Sequence, residues 1–249
     1  MPVVPFALPR IIGHRGAASY APENTLVSLR EARRLGATWV EFDVKLSADG
    51  VPILMHDESL KRTTGLDRDA GATPWAEIRR LDAGGWKAAS FAGEPVPSFE
   101  ATIACLAQEG LGANVEIKPS PGREAATAVA AVEMLRRAWP ARLPLPLLSS
   151  FKYKALAAAR DAASEFPRAV LIDELTDAWQ ERAEALAAVG VNTNGAKLDP
   201  ARAAEIKAAG YLLGVYTIND GAMANRLLDM GVDCIITDAP DVIAATISA

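Results

Sequence analysis

Eight short apolar runs alternate with helix-period segments along almost the whole chain, and few folds accommodate that order. The strand-like runs cover residues 10–13, 39–46, 113–118, 145–149, 168–172, 191–194, 212–217 and 234–237. Apolar residues recur at helical spacing over 24–35, 99–109, 124–139, 153–164, 178–188, 200–209 and 221–230, and a last helix is expected from Pro240 to the C-terminus. Five of these helices should end on glycine, at Gly36, Gly110, Gly190, Gly210 and Gly231, because glycine closes a last helical turn without steric cost. Eight strand–helix units in 249 residues predict one α/β domain, a (β/α)8 TIM barrel covering residues 1–249. The alternative, a doubly wound open sheet, usually carries a glycine-rich phosphate turn after its first strand. Neither G-x-G-x-x-G nor a P-loop occurs here.

The rhythm breaks once, after the second strand. A hairpin is expected through Ser47-Ala48-Asp49-Gly50 into residues 51–56, and residues 57–97 then run irregularly, rich in Gly, Asp, Thr and Trp. An irregular stretch of this length is uncommon in a compact domain and is usually functional or disordered. Because it follows a strand, it belongs on the C-terminal face, where barrel active sites lie. It reads as a small cap-like insertion over the pocket, held down by Trp75 and Trp86.

Composition removes several classes of function. The net charge is −5 and the basic residues are scattered, which argues against a nucleic-acid partner. Cys105 and Cys234 are the only thiols, each in a core-like segment, and no Cys/His cluster is available for zinc. Residues 1–9 are apolar but are interrupted by Pro2, Pro5 and Pro9 and lack the basic start of a signal peptide. No stretch approaches the ~20 apolar residues of a membrane span. A cytoplasmic setting is expected. No heptad or apolar stripe favours a particular assembly, so the oligomeric state stays open.

The chemistry concentrates at strand ends. The chain has two histidines. His14 ends the first strand within His14-Arg15-Gly16, and His56 closes the hairpin run within His56-Asp57. Imidazole is the side chain best suited to proton transfer near neutral pH. Side chains alternate along a strand, so Val40, Phe42 and Val44 share one face of the second strand and Glu41, Asp43 and Lys45 the other. The next barrel strand repeats the pattern, with Val115 and Ile117 outward and Asn114, Glu116 and Lys118 inward. Barrel interiors are normally filled by branched aliphatics, so inward carboxylates on neighbouring strands need a partner. Glu41, Asp43 and Glu116 offer hard oxygen donors to one divalent cation such as Mg²⁺, Ca²⁺ or Mn²⁺. The competing reading is an internal salt bridge, for example Glu116 with Lys118 or Arg15. Arg15 presents a planar fork suited to two phosphate oxygens, and Gly16 lets the backbone turn away from the site. Pro22-Glu23-Asn24-Thr25 reads as a helix start, and Thr237-Asp238-Ala239-Pro240 as the cap of the final helix. Tyr216 faces inward if Val215 faces out, where it would either wall the pocket or fill the core. Lys87 and Phe151 are assigned no role.

The ordered set His14-Arg15-Gly16, Pro22-Glu23-Asn24-Thr25, Glu41-x-Asp43, Asp49-Gly50, His56-Asp57, Arg62-Thr63-Thr64-Gly65 and Glu116-x-Lys118 resembles the glycerophosphodiester phosphodiesterases. The short soluble bacterial type is nearest, and the likeness extends through Tyr216–Asn219 to Thr237–Pro240. The resemblance implies a TIM barrel with a small insertion after strand 2. It also implies hydrolysis of small-molecule glycerophosphodiesters, such as glycerophosphocholine or glycerophosphoethanolamine, to sn-glycerol 3-phosphate and an alcohol. By position it implies His14 and His56 as the acid–base pair and Glu41, Asp43 and Glu116 as metal ligands. Arg15 and Lys118 would contact the phosphate. Tyr216 stands where many members carry tryptophan, which leaves the substrate-facing wall and the head-group preference open. Two other functions compete: a related phosphodiesterase acting on intact phospholipid, and a barrel that binds phosphate esters without turning them over.

Overall fold

The structure is a computed structural model and describes residues 6–247. Residues 1–5 of the apolar N-terminal segment, and the C-terminal end of the last expected helix, lie outside the described residues.

The strands are β1 (Ile11–Gly13), β2 (Trp39–Leu46), β3 (Pro52–Leu54), β4 (Gly112–Ile117), β5 (Leu147–Ser150), β6 (Arg168–Ile172), β7 (Gly190–Asn194), β8 (Leu212–Tyr216) and β9 (Cys234–Thr237). All but β3 run parallel in the order β1-β2-β4-β5-β6-β7-β8-β9. β9 pairs back onto β1 through Ile11↔Ile235, Ile12↔Ile236 and Gly13↔Thr237. The sheet is therefore a closed eight-stranded parallel barrel, as the alternation predicts. β3 lies antiparallel to β2, completing the expected hairpin.

Helices α1 (Leu26–Arg34), α2 (Lys61–Thr64), α3 (Trp75–Ile78), α4 (Phe99–Glu109), α5 (Glu124–Ala138), α6 (Tyr153–Ala162), α7 (Trp179–Ala185), α8 (Pro200–Ala208), α9 (Gly221–Asp229) and α10 (Pro240–Ile247) follow the strands. The outward faces of the strands bury against them. Val40, Phe42 and Val44 of β2 join Phe99 and Ile103 of α4 and Val115 and Ile117 of β4 in one core, with Phe42 and Phe99 rings 5.9 Å apart. Each such side chain is stabilising by about 1.5–3 kcal/mol relative to exposure. Inside the barrel, Ile12, Trp39, Leu147, Ala169, Cys234 and Ile236 pack together and plug its lower half. What remains open is the C-terminal mouth.

Three local readings need correction. The first helix starts at Leu26 rather than residue 24, because Asn24 takes a left-handed backbone (φ 55°) and Thr25 caps the helix by accepting from the Ser28 N–H. Gly190 does not end a helix. α7 stops at Ala185, Ala187 takes the left-handed conformation, and Gly190 opens β7 where a Cβ would lie 2.9 Å from the Leu212 carbonyl oxygen. In the insertion, Trp75 packs at the edge of a small core of Ile53, Met55, Leu60, Ala70, Ile78, Ala83 and Val96. Trp86 is 42% exposed, its ring lying under the Arg62 guanidinium, so those aliphatics and not Trp86 anchor the segment. Cys105 and Cys234 are both free and buried. Among the described residues no helix is long and apolar enough to cross a membrane.

Candidate active site

β2 and β4 are neighbours in register, Asp43 opposite Glu116 and Glu41 opposite Asn114, and the pleat turns all four side chains inward. The Glu41, Asp43 and Glu116 carboxylates each place an oxygen within 4.8 Å of the others. All three are buried, so their charges meet with little water between them. Two cations answer them. Lys118 Nζ lies 2.7 Å from Glu116 Oε1 and 3.4 Å from Asp43 Oδ1, and Arg15 Nε lies 3.4 Å from Asp43 Oδ2. Both competing sequence readings are thus present together: the carboxylates converge, and lysine and arginine pair with them.

The balance of charge sorts the three acids. Burial raises the Glu41 pKa well above the carboxylate range, and the neighbouring Asp43 and Glu116 charges raise it further. Burial, then Asp43, also pushes Glu116 up to about 7, against the opposing pull of Lys118. Burial works on Asp43 too, but Lys118, Arg15 and His56 together with the Asn24 hydrogen bond more than offset it and hold that carboxyl below its usual range. Fully ionised, three buried carboxylates facing two cations would carry one surplus negative charge, which is why Glu41 and Glu116 hold their protons more tightly. Hard oxygen donors under mutual repulsion are a fitting cradle for a divalent ion.

The turn after β1 brings the basic groups to this cradle. Arg15 takes a left-handed backbone (φ 48°) and its N–H donates to Glu41 Oε2 at 3.0 Å. Gly16 follows at φ 92°, where a Cβ would meet Ser28 Oγ at 2.4 Å, so only glycine fits the turn. Both histidines are held in the same way. His14 Nδ1 lies 2.7 Å from Asp238 Oδ1, and His56 Nδ1 lies 2.7 Å from Asp57 Oδ1. A neutral ring that donates Nδ1–H to its aspartate keeps Nε2 as an acceptor. His14 Nε2 sits 3.9 Å from Glu41 Oε2. Burial lowers the His56 pKa, and Arg15 and Lys118 add to that against the pull of Asp43.

These groups surround a cavity of about 140 Å³ lined by His14, Arg15, Glu41, His56, Asn114, Glu116, Lys118, Ser149, Phe151, Leu171, Tyr216, Thr217 and Ile236. Seven of the eight site residues read from sequence line it; Asp43 lies behind them, in contact with Arg15, Lys118 and Asn24. The walls differ. Among the described residues Asn114 Oδ1, Ser149 Oγ and Tyr216 Oη are buried without a hydrogen-bond partner, whereas Leu171 and Ile236 are aliphatic. Phe151, given no role from sequence, stands edge-on to Tyr216 at 5.8 Å and beneath Lys118.

The supporting residues were largely missed. Asn24, read as a helix start, donates to Asp43 Oδ2 at 2.8 Å and accepts from the Asp43 N–H at 3.1 Å. Glu23 accepts from Arg15 Nη1 at 2.7 Å. Asp238, read as a helix cap, orients His14 and also accepts from Asn219 Nδ2 at 2.7 Å. A signal for Asp238 existed: a closed barrel sets the residue after the last strand beside the residue after the first.

A family model described as the glycerophosphoryl diester phosphodiesterase family matches residues 14–242. A glycerophosphodiester phosphodiesterase of Bacillus subtilis (strain 168) is 30% identical over 92% of this chain and 83% of its own length. An Oleispira antarctica phosphodiesterase, solved in complex with the product sn-glycerol-3-phosphate, superposes with a TM-score of 0.95 at 42% identity, over 97% of this chain and 98% of its own. The glycerophosphodiester phosphodiesterase of Agrobacterium tumefaciens str. C58 superposes at 0.76 with 30% identity, over 96% and 100%.

Proposed function

The chain belongs to the glycerophosphoryl diester phosphodiesterase family, and on that premise we propose that it hydrolyses soluble glycerophosphodiesters, such as glycerophosphocholine or glycerophosphoethanolamine, to sn-glycerol 3-phosphate and an alcohol. The reading is carried by one convergence: three buried carboxylates, two aspartate-tethered imidazoles and two cations around a single cavity.

Glu41, Asp43 and Glu116 would hold one Mg²⁺, Ca²⁺ or Mn²⁺. When bound, such an ion neutralises phosphate charge and makes phosphorus more electrophilic. Arg15 and Lys118 grip the non-bridging phosphate oxygens, adding charge stabilisation at the reacting centre. His56, held below its ordinary pKa, is the ring free to take a proton at neutral pH. It removes the proton of the attacking hydroxyl: either water, which gives sn-glycerol 3-phosphate directly, or the hydroxyl on the neighbouring glycerol carbon, which expels the alcohol to leave a cyclic phosphate that a water then opens to the same product. His14, with one carboxylate on Nδ1 and another near Nε2, gives a proton to the departing alkoxide. Asn114, Ser149 and Tyr216 meet the glycerol hydroxyls, while Leu171 and Ile236 take its carbon edge.

The plugged floor and the polar wall of Asn114, Ser149 and Tyr216 suit a glycerol unit at the base of the cavity, which supports the soluble diester as substrate. The two buried free thiols support a reducing, cytoplasmic setting. The test is release of sn-glycerol 3-phosphate from glycerophosphocholine by metal-stripped protein, with and without added Mg²⁺, Mn²⁺ or Ca²⁺. Turnover restored by an ion, and absent in Glu41→Ala, is the expected result. No turnover with any ion, on this diester or on glycerophosphoethanolamine, would overturn it in favour of a non-catalytic phosphate-ester-binding barrel or another diester.

A further inference from the structure

One guanidinium from the insertion grips the two carboxylates that hold Arg15 and His56. Arg62 of α2 donates Nη1 and Nη2 to the two oxygens of Glu23, at 2.8 and 2.7 Å. The same side chain donates Nε and Nη2 to the two oxygens of Asp57, at 2.6 and 3.2 Å. Glu23 in turn accepts from Arg15, and Asp57 holds the His56 ring. Neither carboxylate lines the central cavity, so each acts through its partner.

The clamp is held at both ends, although the Arg62 side chain is 43% exposed. Arg62 lies between Leu60, fully buried in the insertion's own core, and Thr63, also buried, and the Trp86 ring covers its guanidinium at 5.8 Å. An isolated exposed ion pair contributes little, but a planar fork engaged bidentately at both ends fixes geometry as well as charge. A lysine at this position carries one point charge and cannot fork onto two carboxylates. Without the bridge, Glu23 and Asp57 repel, and the side chains leaning on them lose their fixed angle.

We propose that Arg62 is a positioning residue for the hydrolysis, clamping Glu23 and Asp57 so that Arg15 and His56 meet the phosphodiester in register. The proposal rests on the hydrolase reading above. It makes residues 57–97 part of site assembly: the site is complete only when α2 is docked.

The experiment compares wild type, R62A and R62K as full chains on glycerophosphocholine at saturating divalent cation. R62A is expected to lose about 10- to 100-fold in kcat/KM, the usual cost of removing a group that orients a site residue. Low-millimolar guanidinium should restore part of that loss in R62A and leave wild type unchanged, and R62K should stay impaired. Combined with E23Q and D57N, R62A should cost little further, because its partners are gone. Wild-type kcat/KM in R62A would overturn the clamp. So would a loss that guanidinium does not relieve and that adds in full to E23Q and D57N. If R62A does not fold, R62K decides alone: wild-type kcat/KM refutes the clamp, and a loss with an unchanged urea transition supports it. An inactive wild type would sink the hydrolase reading itself, whereas an active wild type with an active R62A sinks only the clamp.

Discussion

Glu116→Gln should stabilise the metal-stripped protein at pH 8 and at the same time blunt its response to a divalent cation. Burial, and then the Asp43 charge, raise the Glu116 carboxyl from an ordinary 4.5 to about 7 even with Lys118 beside it. The folded state therefore holds this proton more tightly than the unfolded chain does. As pH rises the unfolded chain ionises first, so stability falls between about 4.5 and 7 and is flat above. Fully ionised, Glu116 costs the fold on the order of 3 kcal/mol. Glutamine keeps the shape and removes that cost. Urea unfolding of metal-stripped protein should place E116Q above wild type by about that amount at pH 8, and by under about 1 kcal/mol at pH 5. In a thermal melt the pH 8 difference corresponds to roughly 6–12 °C for a chain of this size. Adding a cation at about a hundred times its Kd should raise wild-type stability by about 2.7 kcal/mol, and E116Q by clearly less, since one donor is lost. A metal-stripped E116Q less stable than wild type at pH 8, or a difference that does not change between pH 5 and 8, would refute the account.

Three further outcomes are expected. The pH–rate profile should be bell-shaped, with its acid limb set by the lowered pKa of His56; H14A and H56A should each lose at least ~100-fold in rate, and near-wild-type turnover by either sinks the pair. D238N should lower kcat about 10- to 100-fold by loosening the His14 ring, with KM little changed in steady-state kinetics, whereas an effect confined to KM would contradict an orienting role. Gly16→Ala should destabilise by more than Gly36→Ala in urea titrations, although both glycines have φ near +90°, because only the Gly16 Cβ collides with Ser28 and the space at Gly36 is open; equal losses would mean that the turn relaxes.

The barrel was legible because strand and helix periods switch at every junction, and the inward carboxylates were legible because β2 and β4 alternate cleanly. Val40, Phe42 and Val44 had to face the helices, so Glu41 and Asp43 had to face the axis. Boundaries failed where side-chain chemistry overrode propensity. Asn24 continues the helical pattern in sequence, but its amide pairs with both the carboxylate and the N–H of Asp43 while its backbone is left-handed, and the helix starts at Leu26. Gly190 looked like a helix stop because it follows an alanine-rich helix. It is instead a close-packing position in β7, and Ala187 makes the turn.

The residues that hold the site in place were harder to see, for a reason of topology. Asp238 is 224 positions from His14, and nothing local marks it as more than a cap. Ring closure brings them together: Gly13 pairs with Thr237, and the next residue on each strand end must then meet at the mouth. Asp57 is adjacent to His56 in sequence, yet its carboxylate is pinned by Arg62, which also reaches back to Glu23, 39 positions earlier. Alternation along one strand places a ligand-facing side chain. The groups that set its angle come from whichever loops the closed barrel gathers at one end, so they follow from the pairing of strands and not from the pattern within any one of them.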